Sequence, residues 1–223
     1  MLFFTFSLYG ENKIYTEGMI RNASILAKQF PSCRIQIYIA DDVPVSARTK
    51  LSENPSVKLI EVQRKNDIRN MFDRFECIDD PDCTVMIVRD ADSRVHARDI
   101  SCIEDFLASD KLLHIIRDHR AHRTPILGGL WGIRKSGLDE PMINKIQKWT
   151  SGKTKFSKGT DQFFLRDIIY PLLKSKAMIH DRYSFYETPD MLSPFRVPIQ
   201  DKLFCGQVHC FTNDGEEYTV WDP

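Results

Sequence analysis

An uninterrupted apolar run, Val85-Met86-Ile87-Val88, leads directly into Arg89-Asp90-Ala91-Asp92-Ser93-Arg94. A strand built from such a run has no polar face to turn to water, so it belongs inside a sheet covered on both sides. Sheets covered in this way are mostly parallel, because the crossover between parallel strands is a helix that lies on one face. The rest of the chain supplies the repeating units. Residues 2–8 are apolar and β-favouring and close at Tyr9-Gly10, after which Met19, Ile20, Ala23, Leu26, Ala27 and Phe30 recur at helical spacing. Residues 34–40 alternate as a second strand, 46–53 read as a short helix and 57–62 as a third strand. Ile68, Met71, Phe72, Phe75 and Ile78 make one helical face ahead of the apolar run, and Ile100, Ile103, Phe106 and Leu107 another behind it. Strands at 112–116, 131–134 and 177–180 and helices at 140–149 and 160–173 complete the pattern. The expected fold is α/β, a single domain with helices on both faces of a mostly parallel central sheet. From Tyr183 onward the Pro and Gly content rises and periodicity fades; no repeat, heptad run or linker divides the chain.

At 223 residues and 42% hydrophobic, the chain can bury one substantial core. Lys+Arg and Asp+Glu total 31 each, so the formal charge is zero and no overall field draws the chain to nucleic acid or to an anionic membrane. An anionic ligand must be held by local groups. The six cysteines show no C-x-x-C or zinc-ribbon spacing, a usage that suits reduced thiols and an expected cytoplasmic location. The apolar start lacks a basic segment and is too short for a signal peptide or a membrane span, so it reads as a buried strand. Asn22-Ala23-Ser24 matches the N-glycosylation sequon but falls inside a helical pattern, where it is expected to be silent. The ending at Trp221-Asp222-Pro223 is compatible with a first part of a longer multidomain chain.

Asp90 and Asp92 fall where a central strand leaves the sheet at its carboxyl end, the edge at which open α/β sheets bind ligands. Two carboxylates one residue apart reach one hard cation if the backbone turns there, and Mg²⁺ or Mn²⁺ prefers such oxygens while keeping positions for phosphate. Such an ion acts as a Lewis acid on a departing diphosphate. Aspartates at a strand end also serve as plain turn residues. The stretch 117–129 is polar, His-rich and glycine-terminated and reads as a site-forming connection.

With these elements in place, Ser7-Leu8-Tyr9-Gly10, Arg74-Phe75, the acidic block at 89–94, Arg117-Asp118-His119, the run from Pro125 to Gly132 and Asp161-Gln162 resemble, in order and spacing, blocks of GT-A nucleotide-sugar glycosyltransferases. More narrowly, the blocks resemble those of a branch that includes large algal (chlorella) virus glycosyltransferase domains and bacterial relatives. The resemblance implies a Rossmann-like GT-A sheet, with a nucleotide-binding part over about residues 1–95 and a donor-sugar and acceptor part over about 96–223. It implies a UDP-sugar donor, a glycan or glycoprotein acceptor, and Mn²⁺ or Mg²⁺ held by Asp90 and Asp92. Tyr9 would stack on uracil, with Ser7, Leu8 and Gly10 lining that pocket and Ala91 between the two metal-binding carboxylates. Arg74 would reach the diphosphate or donor sugar, Arg117 and Asp118 would hydrogen-bond near the sugar, and Gly128 and Gly129 would let the backbone approach it. Asp161 and Gln162 would face the reacting carbon or acceptor, a pair that resembles one of retaining enzymes. A third metal ligand is expected at His180, with His209 in reserve.

Each position also has a plain structural reading. Arg74 fits a solvated helix face, Tyr9 a core edge, and Asp161 a first-turn acid that the helix field would keep ionised. His114, His119, His122 and Asp118 could meet on one zinc ion, but their spacing matches no common zinc signature. Trp131, Trp149 and Trp221 read as packing residues. A nucleotidyltransferase that makes nucleotide-sugars would share the sheet, but its basic glycine-rich loop is replaced by Tyr9-Gly10-Glu11-Asn12. A non-catalytic nucleotide-sugar or glycan-binding module is the remaining alternative.

Overall fold

In the computed structural model, which describes residues 1–64, 67–212 and 214–219, the apolar run becomes strand β4 (Val85–Arg89), buried at every position. Strands β1 (Leu2–Leu8), β2 (Arg34–Ala40), β3 (Val57–Val62), β5 (Leu113–Arg117), β6 (Leu130–Arg134) and β7 (Ala177–Asp181) join β4 in one sheet of order β3-β2-β1-β4-β6-β5-β7. β1 runs parallel to both β2 and β4, β2 parallel to β3, and β5 parallel to β7, whereas β6 is antiparallel to β4 and β5. All strands but β6 therefore deliver their carboxyl ends to one edge. The order reverses between β1 and β4, which makes the space beyond their carboxyl ends the crevice of the sheet. β3 lies at the margin and turns Lys58 and Glu61 outward, charges that discourage pairing with another chain.

Helices α1 (Lys13–Gln29), α2 (Val45–Ser52) and α4 (Ala97–Ala108) cover one face, closing a core of Phe4, Phe6, Ile37, Ile87, Ile103 and Phe106. Asn12 starts α1, its Oδ1 accepting the Ile14 N–H at 2.9 Å. The opposite face is covered by α3 (Asn70–Asp73), α5 (Met142–Thr150) and α6 (Thr160–Phe164) around an aromatic core in which Phe75 meets Trp131 edge-on at 5.2 Å.

Two elements depart from regular helix. The face predicted over 68–78 is α3 continued by a 3-10 segment, Arg74–Asp79, whose three-residue turn aligns Phe72, Phe75 and Ile78 on the core. The helix predicted over 160–173 is α6, a π turn at Leu165–Ile169 and α7 (Tyr170–Leu173); Pro171 has no N–H to give the regular ladder there. Beyond residue 183, β8 (His209–Phe211) and β9 (Glu217–Thr219) form a small hairpin that returns to the site. Trp221 lies outside the described residues. Among those residues no helix is long and apolar enough to cross a membrane.

Candidate active site

The chain segments leaving β1 and β4 frame a cleft of about 460 Å³ lined by Ser7, Tyr9, Gly10, Arg74, Asp90, Ala91 and Asp92 together with Asn12, Tyr15 and Lys158. Gly10 takes φ 77° as the chain turns out of β1, and its N–H donates to Asp42 Oδ1 at 2.9 Å. Ser7 Oγ donates to the Asn70 carbonyl at 2.5 Å, tying the cleft floor to α3. Burial raises the pKa of Tyr9, with Arg74 opposing, and raises that of Tyr15, where the charges of Asp92 and Asp90 add to burial. Both rings stay neutral hydroxyl-bearing walls.

Arg74 organises the acidic side chains. Only 2% exposed, it donates through Nη1 to Asp90 Oδ1 at 2.5 Å and to the Arg89 carbonyl at 3.1 Å, and through Nη2 to Asp161 Oδ2 at 3.3 Å. Burial alone would lower its pKa, but the two carboxylates outweigh burial and the guanidinium stays charged. Asp161 is 1% exposed, and burial raises its pKa against the pull of Arg74. The helix start therefore does not set its charge; Arg74 opposes a dominant burial effect. Asp161 Oδ1 is buried with no hydrogen-bond partner. The paired glycines explain how these groups fit: a Cβ on Gly128 would stand 2.3 Å from Asp161 Oδ2, and one on Gly129 2.1 Å from Asp90 Oδ2.

Asp92 shares the cleft wall. Burial, then the charge of Asp90, raises its pKa to about 6. Two carboxylates that repel one another in one cleft form a donor set that a hard divalent cation fits. The backbone that carries them is held at every carbonyl. Asn22 Nδ2 donates to the Ser93 carbonyl at 2.8 Å and the Asp90 carbonyl at 3.4 Å, and Arg94 Nη1 to the carbonyls of Ala91 and Ser93 at 3.1 and 2.7 Å. The His209 N–H donates to the Asp92 carbonyl at 2.8 Å. Glu217 on β9 forms ion pairs at 2.6 Å with both Arg94 and Arg21 and lies 3.2 Å from His209 Nδ1.

Several expected residues lie elsewhere. His180 is fully buried under α4, its Nδ1 3.3 Å from His114 Nε2 and its Nε2 3.5 Å from Asp105. β7 stands three places from β4 in the sheet, roughly 14 Å at the usual strand spacing, so His180 does not join the carboxylates. The reserve, His209, is the histidine whose backbone meets Asp92. Among the described residues no three His, Cys, Asp or Glu side chains converge on one metal position. Arg117 is buried against Asp181 at 2.7 Å and Glu187, and Asp118 accepts two bonds from Arg98 at 2.7 and 2.6 Å, so both are spent on internal ion pairs rather than turned to a sugar. Leu8 points into the core under α1 and does not line the cleft. Gln162 sits on α6 beside Asp161, half-buried. His119 stacks on Phe204 and His114 on Phe106. Tyr15 and Lys158 carry no mark in the sequence, Asn12 only its place in the loop after the first strand and Asn22 only its sequon; the structure uses the Asn22 amide to hold the acidic loop.

No protein-family model and no curated sequence matches the chain. Solved structures do. A glycosyltransferase involved in glycosylation of the major capsid of PBCV-1 superposes with TM-score 0.52 at 14% identity, covering 82% of each chain. The galactosyltransferase LgtC, in complex with donor and acceptor sugar analogues, gives 0.55 at 13%, covering 81% of this chain and 73% of that one. The fold is GT-A. A 4-diphosphocytidyl-2C-methyl-D-erythritol synthase from Anaerococcus prevotii is as similar, with TM-score 0.54 at 9% identity over 86% of this chain and 94% of that one. At such identities the GT-A likeness fixes the architecture, and the chemistry has to be argued from the cleft.

Proposed function

We propose that the chain is a metal-dependent glycosyltransferase that moves a sugar from a UDP-sugar to a hydroxyl of a glycan or glycoprotein. The observation that carries this reading is the buried Arg74, bound to Asp90 and Asp161 beside a cleft that Asp92 also lines. Asp90 and Asp92 would hold Mn²⁺ or Mg²⁺, with the remaining positions left to the diphosphate and water. When bound, that ion neutralises charge growing on the departing diphosphate. Tyr9 offers its ring to the base, and Lys158 a second cation to the phosphates. Asp161, whose Oδ1 is buried without a partner, would accept a donor-sugar hydroxyl, and its carboxylate, held by Arg74, would stabilise positive charge on the sugar. Gln162 would lie towards the reacting carbon. The likeness of the Asp161-Gln162 pair to one of retaining enzymes makes retention of anomeric configuration the expected outcome.

The GT-A neighbours solved with ligands support the reading: LgtC was captured with donor and acceptor sugar analogues, and a mannosyltransferase from Pyrobaculum calidifontis, of TM-score 0.52 at 14% identity over 90% of this chain and 58% of that one, with GDP-Man and Mn²⁺. The six cysteines, all free thiols, agree with a cytoplasmic setting. Calorimetric titration of UDP and a panel of UDP-sugars with and without Mn²⁺, on the native chain and on Asp92→Ala, tests it. Metal-dependent UDP binding and slow donor hydrolysis are expected in the native chain and lost in the variant. UDP binding that ignores both the metal and the substitution would rule the reading out. An early product whose anomeric configuration is opposite to the donor's would remove retention alone.

A further inference from the structure

We infer that the loop following β7 is a binding platform for an acidic oligosaccharide, separate from the nucleotide cleft. Asp181 ends β7 and its carboxylate accepts the N–H groups of Tyr183, Ser184 and Phe185 at 2.8, 3.1 and 3.3 Å. Arg117 beneath it is fully buried, bonds Asp181 at 2.7 Å and pairs with Glu187, which also takes the Tyr170 hydroxyl. The loop is thus anchored from below at both ends, and it turns through Ser184 at φ 52°. Such anchoring is unnecessary for a solvated connection. What it presents is apolar: Tyr183, Phe185 and Tyr186 are 36%, 36% and 45% exposed.

Each ring has a defined surface. Tyr186 has Arg117 5.1 Å from its centroid on the buried side, which leaves its other face to solvent. Tyr183 and Phe185 stack at 5.5 Å with planes 11° apart, and Arg182 and Arg123 lie over them at 5.4 Å each. Neither guanidinium has a carboxylate partner among the described residues. Arg123 donates Nε to the Arg120 carbonyl at 3.0 Å, which leaves its two terminal nitrogens, and the guanidinium of Arg182, to take a carboxylate in two bonds. The open face of Tyr186 is the one that accepts the C–H face of a sugar ring, and the two arginines on Tyr183 and Phe185 supply the charge complement of a uronic-acid carboxylate. β7 ends on the same sheet edge as β4, so the platform lies on the side where a glycan would meet the cleft. Its role as acceptor site rests on the sugar-transfer reading; its binding of the saccharide does not.

The test is NMR titration of the full chain, without donor or metal, with trigalacturonate, maltotriose and inorganic phosphate. Trigalacturonate should perturb Tyr183, Phe185 and Tyr186 and bind about tenfold more tightly than maltotriose, a difference that Arg123→Ala with Arg182→Ala erases. Tyr186→Ala should weaken both sugars by a similar factor. All these side chains are exposed, and an unchanged amide spectrum elsewhere confirms that the variants fold. Failure of trigalacturonate to perturb the loop, equal affinity for the two sugars, or phosphate binding as tightly as trigalacturonate would overturn the inference. Platform binding without any UDP-sugar turnover would leave it standing and remove the transfer reading instead.

Discussion

Gly129 has no room for a methyl group, because the position is taken by the carboxylate of Asp90, 2.1 Å from where a Cβ would lie. Gly129→Ala must displace that side chain. The expected outcome is a metal-dependent UDP affinity reduced by about tenfold or more by calorimetry, with a stability cost of about 1–3 kcal/mol, as for other overpacked sites. Unchanged affinity would mean that Asp90 is not needed where it stands. Asp92 supplies a pH dependence. With its pKa raised to about 6, a proton competes with the cation below that value. Apparent Mn²⁺ affinity should fall by about tenfold per unit below about pH 6 and level off above about pH 7. The metal-free fold moves the other way. The folded chain keeps the Asp92 proton to higher pH than the unfolded chain does, so this group's contribution is greatest in acid and declines as pH rises through about 6. At this scale the strand-end pattern pointed to Asp90 and Asp92, and the family resemblance to Tyr9, Gly10, Arg74 and the paired glycines; the structure brings these residues around one cleft, and their roles there are proposals. It could not show that Arg117 and Asp118 are used up, since their partners Asp181 and Arg98 are 64 and 20 residues away.

The acidic loop is held by elements distant in sequence: Asn22 from α1, Arg94 from within the loop, and the β8–β9 hairpin through the His209 N–H and Glu217. Asn22→Ala leaves two buried carbonyls with fewer donors, an expected cost of about 1–3 kcal/mol by denaturant melts. Glu217→Gln keeps the shape of the hairpin and removes the charge opposite Arg94. Its expected effect is a weaker Mn²⁺-dependent UDP affinity with the circular dichroism spectrum unchanged; full affinity would show that the hairpin covers the loop without positioning it. Strand positions were legible because buried strands are written as apolar runs. The helices α3 and α6 to α7 were legible as helical faces, but their 3-10 and π turns were not, since a period of three or the loss of one N–H at Pro171 is a local deviation within the same apolar face. The hairpin was invisible: its strands are three residues each, and what fixes them is contact with the acidic loop rather than a pattern of their own.

For the molecule as a whole, the sheet order and the zero formal charge leave two chemistries open, sugar transfer from a nucleoside diphosphate and attack on a nucleoside triphosphate. The charge of the cleft separates them. Its lining holds the cations Arg74 and Lys158 against Asp90, Asp92 and Glu11, and Arg74 already serves two carboxylates. With one divalent ion this lining would carry about one net positive charge, which leaves less charge unmet on a diphosphate than on a triphosphate, and no net field of the protein makes up the difference. A ligand present at about 100 times its dissociation constant adds about 2.7 kcal/mol of stability, which for a chain of this size raises the melting temperature by roughly 5–10 °C. UDP with Mn²⁺ should produce such a rise, UDP or Mn²⁺ alone a much smaller one, and UTP with Mn²⁺ less than UDP with Mn²⁺. If UTP or CTP gave the larger rise, and pyrophosphate appeared when a sugar phosphate was added, the same cleft would have to be assigned to nucleotidyl transfer, because the ordering of the two nucleotides depends on the charge balance alone and not on the fold they share.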